Sequence, residues 1–274
     1  MPILLSLARS LGTALLAALA AAALAALFFF ATTRAALLWR GRRLDAAALS
    51  ARGRVYPIYT EGALIRLVDH QFLIAAILLG QYRALVDRIV EGMAEQQLDA
   101  QTVLVTACAF GDVVPRVAAA AARGRAARLQ VLDLYATELD QVRRKLRPAR
   151  PGPALDLRQG DACASGLPDA SVAVNVLFFL LHELPPAQQQ QALDEACRVL
   201  APGGMLYLAE FHRPRARLLR AAGWLYFHVF EPWGLLLWAG SDPARALAAR
   251  ADVRLRAQHL RCAGNYQLLI AEKV

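Results

Sequence analysis

Apolar and polar positions along this chain fall into distinct regimes. Positions 11–33 carry no charged residue; the run is rich in Ala and Leu and passes through Phe28-Phe29-Phe30 near its end. From 56 to 98 the pattern changes to helical spacing, with Leu64, Leu67, Val68, Phe72, Ile77, Leu85 and Ile89 recurring as they do on helices that bury one face. From 102 onward, short wholly apolar runs alternate with helix-like segments. Runs at 103–105, 129–133, 155–157, 171–179 and 205–211 read as buried parallel strands. Segments 114–127, 137–146 and 186–200 read as the helices between them, the last stopped by Pro202-Gly203-Gly204.

Strands alternating with helices predict an α/β fold: a doubly wound, mostly parallel, seven-stranded Rossmann-like sheet, completed by closing strands near 253–260 and 266–271. Ligands of such sheets lie beyond the carboxyl ends of the strands. Between strand five and the closing strands lies an apolar stretch, 218–239, with Trp224, Tyr226, Phe227, Phe230, Trp233 and Trp238. Gly223, Glu231-Pro232 and Gly234 interrupt it, so it reads as core helices or as a lipid-facing flap over the substrate. The chain then divides into 1–54, a hydrophobic helix with a basic linker, and 55–274, a catalytic domain with an amino-terminal helical cap.

A helix over 11–33 is long enough to cross the ~30 Å hydrocarbon core. Arg34, Arg40, Arg42 and Arg43 follow it and only Arg9 precedes it, which predicts a single anchor with the body on the cytoplasmic face of a bacterial inner membrane. A cleaved secretory signal, a mitochondrial leader and a helix packed on the protein itself are the alternatives. Charge fits this arrangement. The net charge is +9, and residues 1–54 hold seven arginines against Asp45, leaving the rest close to balanced. No basic groove for nucleic acid is implied. Cys108, Cys163, Cys197 and Cys262 lie far apart without a C-x-x-C pair, which argues against a zinc site or a disulfide framework.

Candidate chemistry sits just after each strand. After the first strand come Thr106, Ala107, Cys108, Ala109, Phe110, Gly111 and Asp112; after the second, Asp133; after the third, Gly160-Asp161; after the fourth, His182-Glu183; at the fifth, Glu210 and His212. Each has a plain alternative. Asp112 caps the next helix, Asp161 belongs to a turn, Asp133 is a surface acid, His182 is a satisfied core histidine, and Glu183 and Glu210 make structural pairs. Tyr56, Tyr59, Tyr82 and Tyr135 cover a ligand or pack the core.

Together with Arg198-Val199-Leu200-Ala201-Pro202-Gly203-Gly204, these residues over 102–211 resemble the class I S-adenosylmethionine (SAM) methyltransferases. The resemblance implies that Thr106, Ala107 and Gly111 cradle SAM, that Asp133 holds the ribose and that Asp161 faces the adenine. The first loop departs from the acidic, Gly-rich pattern: Val105 stands for the acid, Ala107 and Ala109 for two glycines, and Gly111 alone remains. That altered loop, Phe178-Phe179-Leu180-Leu181-His182-Glu183, Phe211-His212-Arg213-Pro214 and Phe230-Glu231-Pro232-Trp233-Gly234-Leu235 resemble the enzymes of rhodoquinone biosynthesis (RquA). This narrower resemblance implies replacement of a ubiquinone methoxy group by an amino group, with SAM as amino donor and Mn2+ required. A hard ion favours carboxylates and tolerates imidazole, so among the groups at the sheet's carboxyl edge Asp112, Asp161 and Glu183 are candidate metal ligands, and His182, His212 and Asp112 candidates for catalysis. A conventional methyltransferase of a quinol or another membrane lipid is the competing reading, and a non-catalytic accessory protein of the same fold a third.

Overall fold

The computed structural model describes residues 2–32, 57–107, 110–146, 152–231, 233–240 and 242–274. Two compact units divide the chain, Met1–Pro57 and Ile58–Val274. In the first, the apolar leader forms helix α1 (Pro2–Phe30). Among the described residues, no helix is long and apolar enough to cross a membrane, so the span expected from 11–33 is not found there.

The second unit opens with the helical cap: α2 (Pro57–Thr60), α3 (Gly62–Val68), α4 (Gln71–Ile77) and α5 (Tyr82–Ala94). The α/β body follows: β1 (Thr102–Thr106), α6 (Val113–Arg123), β2 (Arg128–Asp133), α7 (Ala136–Lys145), β3 (Ala154–Gln159) and β4 (Val172–Phe178). After a single 3-10 turn, Leu181–Glu183, come α8 (Pro186–Arg198), β5 (Leu200–Phe211), α9 (Arg217–Val229), α10 (Gly234–Ala239), α11 (Pro243–Ala248), β6 (Val253–Arg261) and β7 (Tyr266–Lys273). The sheet order is β3-β2-β1-β4-β5-β7-β6. Strands β1 to β5 pair in parallel, and β7 is antiparallel to both β5 and β6.

Burial explains why the apolar runs became central strands. Val103, Leu104, Val105, Val174, Val176, Leu206 and Leu208 are all buried, covered by helices on both faces as a parallel sheet requires. Pro202-Gly203-Gly204 does not separate α8 from β5 as expected. It lies inside a strand that begins at Leu200, where the β4–β5 register shifts between Val172 and Val174. A Cβ at Gly204 would lie 2.7 Å from the Ala201 carbonyl oxygen, so only glycine fits this irregular entry.

The strand order reverses at β1 and β4, whose carboxyl ends diverge into the β1–α6 loop and the 3-10 turn. That crevice is where a doubly wound sheet takes its ligand.

Candidate active site

The β1–α6 loop is held from three sides. Thr106 is buried, and its hydroxyl donates to Asn175 Oδ1 on β4 at 2.9 Å, so it joins strands rather than facing a ligand. Ala107 takes a left-handed conformation, φ +53°, its amide donating to Leu132 O at 2.8 Å. An alanine there costs about 1 kcal/mol that glycine would avoid. Gly111, at φ +76°, donates its amide to Asp69 Oδ1 at 2.7 Å and accepts at its carbonyl from Lys145 Nζ at 2.7 Å. Asp69 Oδ2 is also 2.5 Å from Lys145 Nζ and accepts from Gln141 Nε2 at 2.7 Å. The cap residue Asp69 therefore latches the loop to α7. Residues 108 and 109 of this loop lie outside the described residues.

Asp112 stands at the amino terminus of α6 but makes no capping hydrogen bond with its side chain, and its Oδ1 is buried without a hydrogen-bond partner. The capping alternative is therefore excluded. Asp133, at the tip of β2, is buried and accepts from the Tyr135 amide at 2.9 Å. Glu138 on α7 is buried beside it. Burial raises both carboxyls. Of the two, Glu138 is the one that Asp133's charge and hydrogen bond push further up. Asp161 is exposed and closes its own turn, accepting from the Cys163 amide at 2.8 Å. The turn takes one oxygen of this exposed carboxylate.

Across the crevice, Glu210 of β5 is fully buried and its Oε1 lies 2.9 Å from His182 Nδ1. The same carboxylate accepts the amides of His182 at 3.3 Å and Phe211 at 2.7 Å. Burial alone would lower His182; the Glu210 charge and hydrogen bond, with Glu183 and Glu231 nearby, outweigh it and raise the imidazole to about 9. His182 Nε2 faces Glu183 Oε1 at 3.9 Å. Glu183 in turn accepts from the Tyr59 hydroxyl of the cap, and Tyr59 stacks on Tyr135 at 6.2 Å between ring centres. Burial raises the Glu183 carboxyl, opposed by His182 and reinforced by both Glu210 and Asp133. Glu183 is therefore the hinge between a β2-side half, with Asp133, Glu138 and Tyr135, and a β5-side half.

That second half is aromatic. The His182 ring meets Phe211 at 4.8 Å and Phe179 at 6.3 Å, and Phe211 meets Tyr226 and Phe227 of α9 at 6.0 and 5.0 Å. Burial raises the Tyr226 phenol, with Glu231 and Glu183 adding to it. His212 follows β5 as expected, and its Nδ1 lies 2.7 Å from Gly264 O in the β6–β7 turn.

Asp112, Asp161 and Glu183 do not form a metal-binding set. They sit on the α6 terminus, an exposed turn and the Tyr59 pair, and among the described residues no group of three or more His, Cys, Asp or Glu side chains is arranged to hold a metal ion. The expected Mn2+ ligands do not fit, and no chemistry is assigned here through such an ion. A cavity of about 560 Å³ at the opposite edge of the sheet is lined by Arg198, Arg250 and Lys273. Its cations are already paired, with Glu195, Asp169, Asp194 and Asp252.

The sequence reading missed Asp69 and Glu138 and met Tyr226 and Glu231 only within the longer apolar run. Asp69 follows an ordinary amphipathic helix, and Glu138 is one more acid in a polar helix; neither carries a local signal.

Sheet order, a lone antiparallel β7 and an acid at the β2 tip define the class I SAM methyltransferase fold. Residues 103–204 match the family described as methyltransferase domain. The chain is 32% identical over 143 residues to the ubiquinone/menaquinone biosynthesis C-methyltransferase UbiE of Roseobacter denitrificans, covering 52% of this chain and 55% of that one. It is 29% identical over 141 residues to the demethylmenaquinone methyltransferase of Lactobacillus johnsonii, covering 52% and 56%. It thus spans little more than half the length of these curated relatives. Among solved structures, magnesium protoporphyrin IX methyltransferase of Synechocystis PCC 6803 with bound S-adenosylhomocysteine (SAH) superposes with a TM-score of 0.58 at 14% identity, over 84% of this chain and 100% of that one.

Proposed function

We propose that this protein is a SAM-dependent transferase acting on the ring of a lipid quinone. The observation that carries this reading is the buried His182–Glu210 pair packed on an aromatic cluster across Glu183 from Asp133. Asp133 offers a carboxyl acceptor for the ribose hydroxyls, and the cluster of Phe179, Phe211 and Tyr226 offers apolar surface for a flat ring. Quinone-acting names among the relatives support the substrate class.

Methyl transfer to a quinol ring is the reading those relatives support. The ring carbon attacks the sulfonium methyl, SAH leaves, and a base must take a proton from the quinol. Two observations favour amination of the quinone, the reaction the RquA resemblance implies. First, a histidine raised to about 9 is protonated at neutral pH and donates Nε2–H to a carbonyl oxygen instead of taking a proton; this makes the quinone ring a better electrophile. Second, Val105 and Ala107 replace the acid and a glycine of the usual SAM loop, which re-aims the methionine end. A SAM amine of ordinary pKa, roughly 8, is neutral often enough to attack the methoxy-bearing carbon, with methanol leaving and SAM joined to the ring through nitrogen. Loss of the Cα proton, with its electron pair reducing the quinone to the quinol, gives an imine whose hydrolysis leaves the amino group on the ring and releases the α-keto acid of SAM.

SAM labelled with 15N at the amine and 13C at the methyl, incubated with the full chain and with ubiquinone or with demethylmenaquinol, whose ring keeps an open carbon, tests both levels. Either label on the ring supports a SAM-dependent quinone transferase, 15N selecting amination and 13C methylation. A product set with neither label from any quinone overturns the proposal.

A further inference from the structure

Helix α9 is inverted for a helix that covers a core. Of its 13 residues only Phe227 is buried, whereas Leu218 is 81% exposed, Leu225 59% and Trp224 53%. Helix α4 shows the same inversion: Phe72 is 86% exposed, Ile77 is exposed, and so is Leu79 just beyond its end. The two helices share one anchor. The Tyr266 hydroxyl donates to Ile77 O at 3.2 Å, and its ring packs on Phe211 at 5.5 Å, which carries α9 through Tyr226 and Phe227. The exposed side chains of α4 and α9 therefore flank one corner of the sheet's carboxyl edge, beside the aromatic cluster.

Charge identifies the occupant. Between Phe211 and Glu231 the chain has four arginines, Arg213, Arg215, Arg217 and Arg220, and no acid; α4 has no acid either. Apolar tips projecting from a helix whose first turns are purely cationic match the acyl boundary and anionic headgroups of a bilayer.

We propose that α4 and α9 form a docking face for an anionic phospholipid surface, with Phe72, Leu218, Trp224 and Leu225 entering the acyl boundary and the four arginines among the headgroups. The value of this face to the protein rests on the lipid-quinone reading. The inner side of α9 adds Tyr226 to the cluster while the outer side meets lipid, so a membrane-dissolved ring enters without crossing water.

Hydrogen exchange of the full chain, read by mass spectrometry with and without phosphatidylglycerol–phosphatidylcholine vesicles, tests the face. Exchange over 71–79 and 217–229 is expected to slow about tenfold with these vesicles, and not with phosphatidylcholine alone. The double variants Trp224→Ser with Leu225→Ser, and Arg217→Glu with Arg220→Glu, are expected to lose that slowing while keeping the wild-type thermal midpoint. Unchanged exchange over both segments, with only the leader responding to vesicles, overturns the proposal. So does slowing that needs no vesicles and grows with protein concentration, which assigns the face to a second copy. No quinone or transfer enters the measurement, so a missing ring label leaves docking standing, and lost docking leaves transfer to detergent-dispersed quinone intact.

Discussion

Glu210 Oε1 lies 2.9 Å from His182 Nδ1, and the same carboxylate receives the amides of His182 and Phe211. One fully buried acid on β5 thus sets the orientation, the tautomer and the charge of the histidine packed on the aromatic cluster. With Nδ1–H bound to Glu210, only Nε2 is turned toward a substrate and toward Glu183.

Glu210→Gln is expected to lower turnover about a hundredfold or more and to destabilise the fold by about 3 kcal/mol, as breaking a buried pair does. The loss should fall on kcat rather than on SAH binding, because Glu210 lies on the β5 side of Glu183. Steady-state kinetics with an SAH titration checks this; equal losses in both would mean that the substitution merely loosens the site.

The same pair makes stability depend on pH. His182 moves from an ordinary 6.5 up to about 9 on folding, so its contribution is fully present below pH 6.5 and is lost as pH rises through 9. Thermal midpoints of wild type and Glu210→Gln should differ most at pH 6 and converge above pH 9. A gap that stays constant across that window would show that His182 does not titrate there.

Asp133 and Glu138 separate by their roles. Asp133→Asn is expected to weaken SAH binding about ten- to a hundredfold, the loss of a carboxyl hydrogen-bond acceptor. Burial and Asp133 raise the Glu138 carboxyl, so its contribution to stability is lost as pH rises through that raised value. Glu138→Gln mimics the neutral form, so its thermal midpoint at pH 8 should match or exceed that of wild type. A clear drop would mean that Glu138 is charged in the native protein.

What was legible in the sequence follows from which signals are local. Apolar runs such as 103–105 and 129–133 are read at single-residue scale because a strand covered on both faces tolerates little else, and β1 and β2 lie where those runs do. His182 was legible as the residue after strand four. Its partner was visible only as an acid on strand five, because the β4–β5 pairing that brings them together spans 28 residues. Asp161 and His212 lie at the strand ends that the spacing predicts, where a turn amide meets Asp161 Oδ1 and the Gly264 carbonyl meets His212 Nδ1. Such local bonds leave no mark on composition or spacing. Conversely, Asp69 gains its role only when the cap folds onto Gly111, 42 residues away.

Gly111 is the last place where the fold and the site make a joint demand. Its φ of +76° is costly for any other residue, and a Cβ there would lie 2.2 Å from the Tyr82 hydroxyl oxygen and 2.5 Å from the adjoining ring carbon. Tyr82 cannot simply move away, because its hydroxyl accepts from the Val113 amide at 2.8 Å and its ring packs edge-on against Phe178 at 5.7 Å. Gly111→Ala therefore adds about 1 kcal/mol of backbone strain to about 1–3 kcal/mol of overpacking. Asp69→Ala releases the same loop by the opposite route: it removes the acceptor of the Gly111 amide and the partner of a mostly buried Lys145 without adding any atom. Both variants should weaken SAH binding, but they should part on relief. Tyr82→Ala, which clears the space, should restore part of the stability lost in Gly111→Ala and none of that lost in Asp69→Ala. Thermal melts of the two double variants check this. Equal relief in both would mean that the loop is held by general packing of the cap and not by the Asp69 latch.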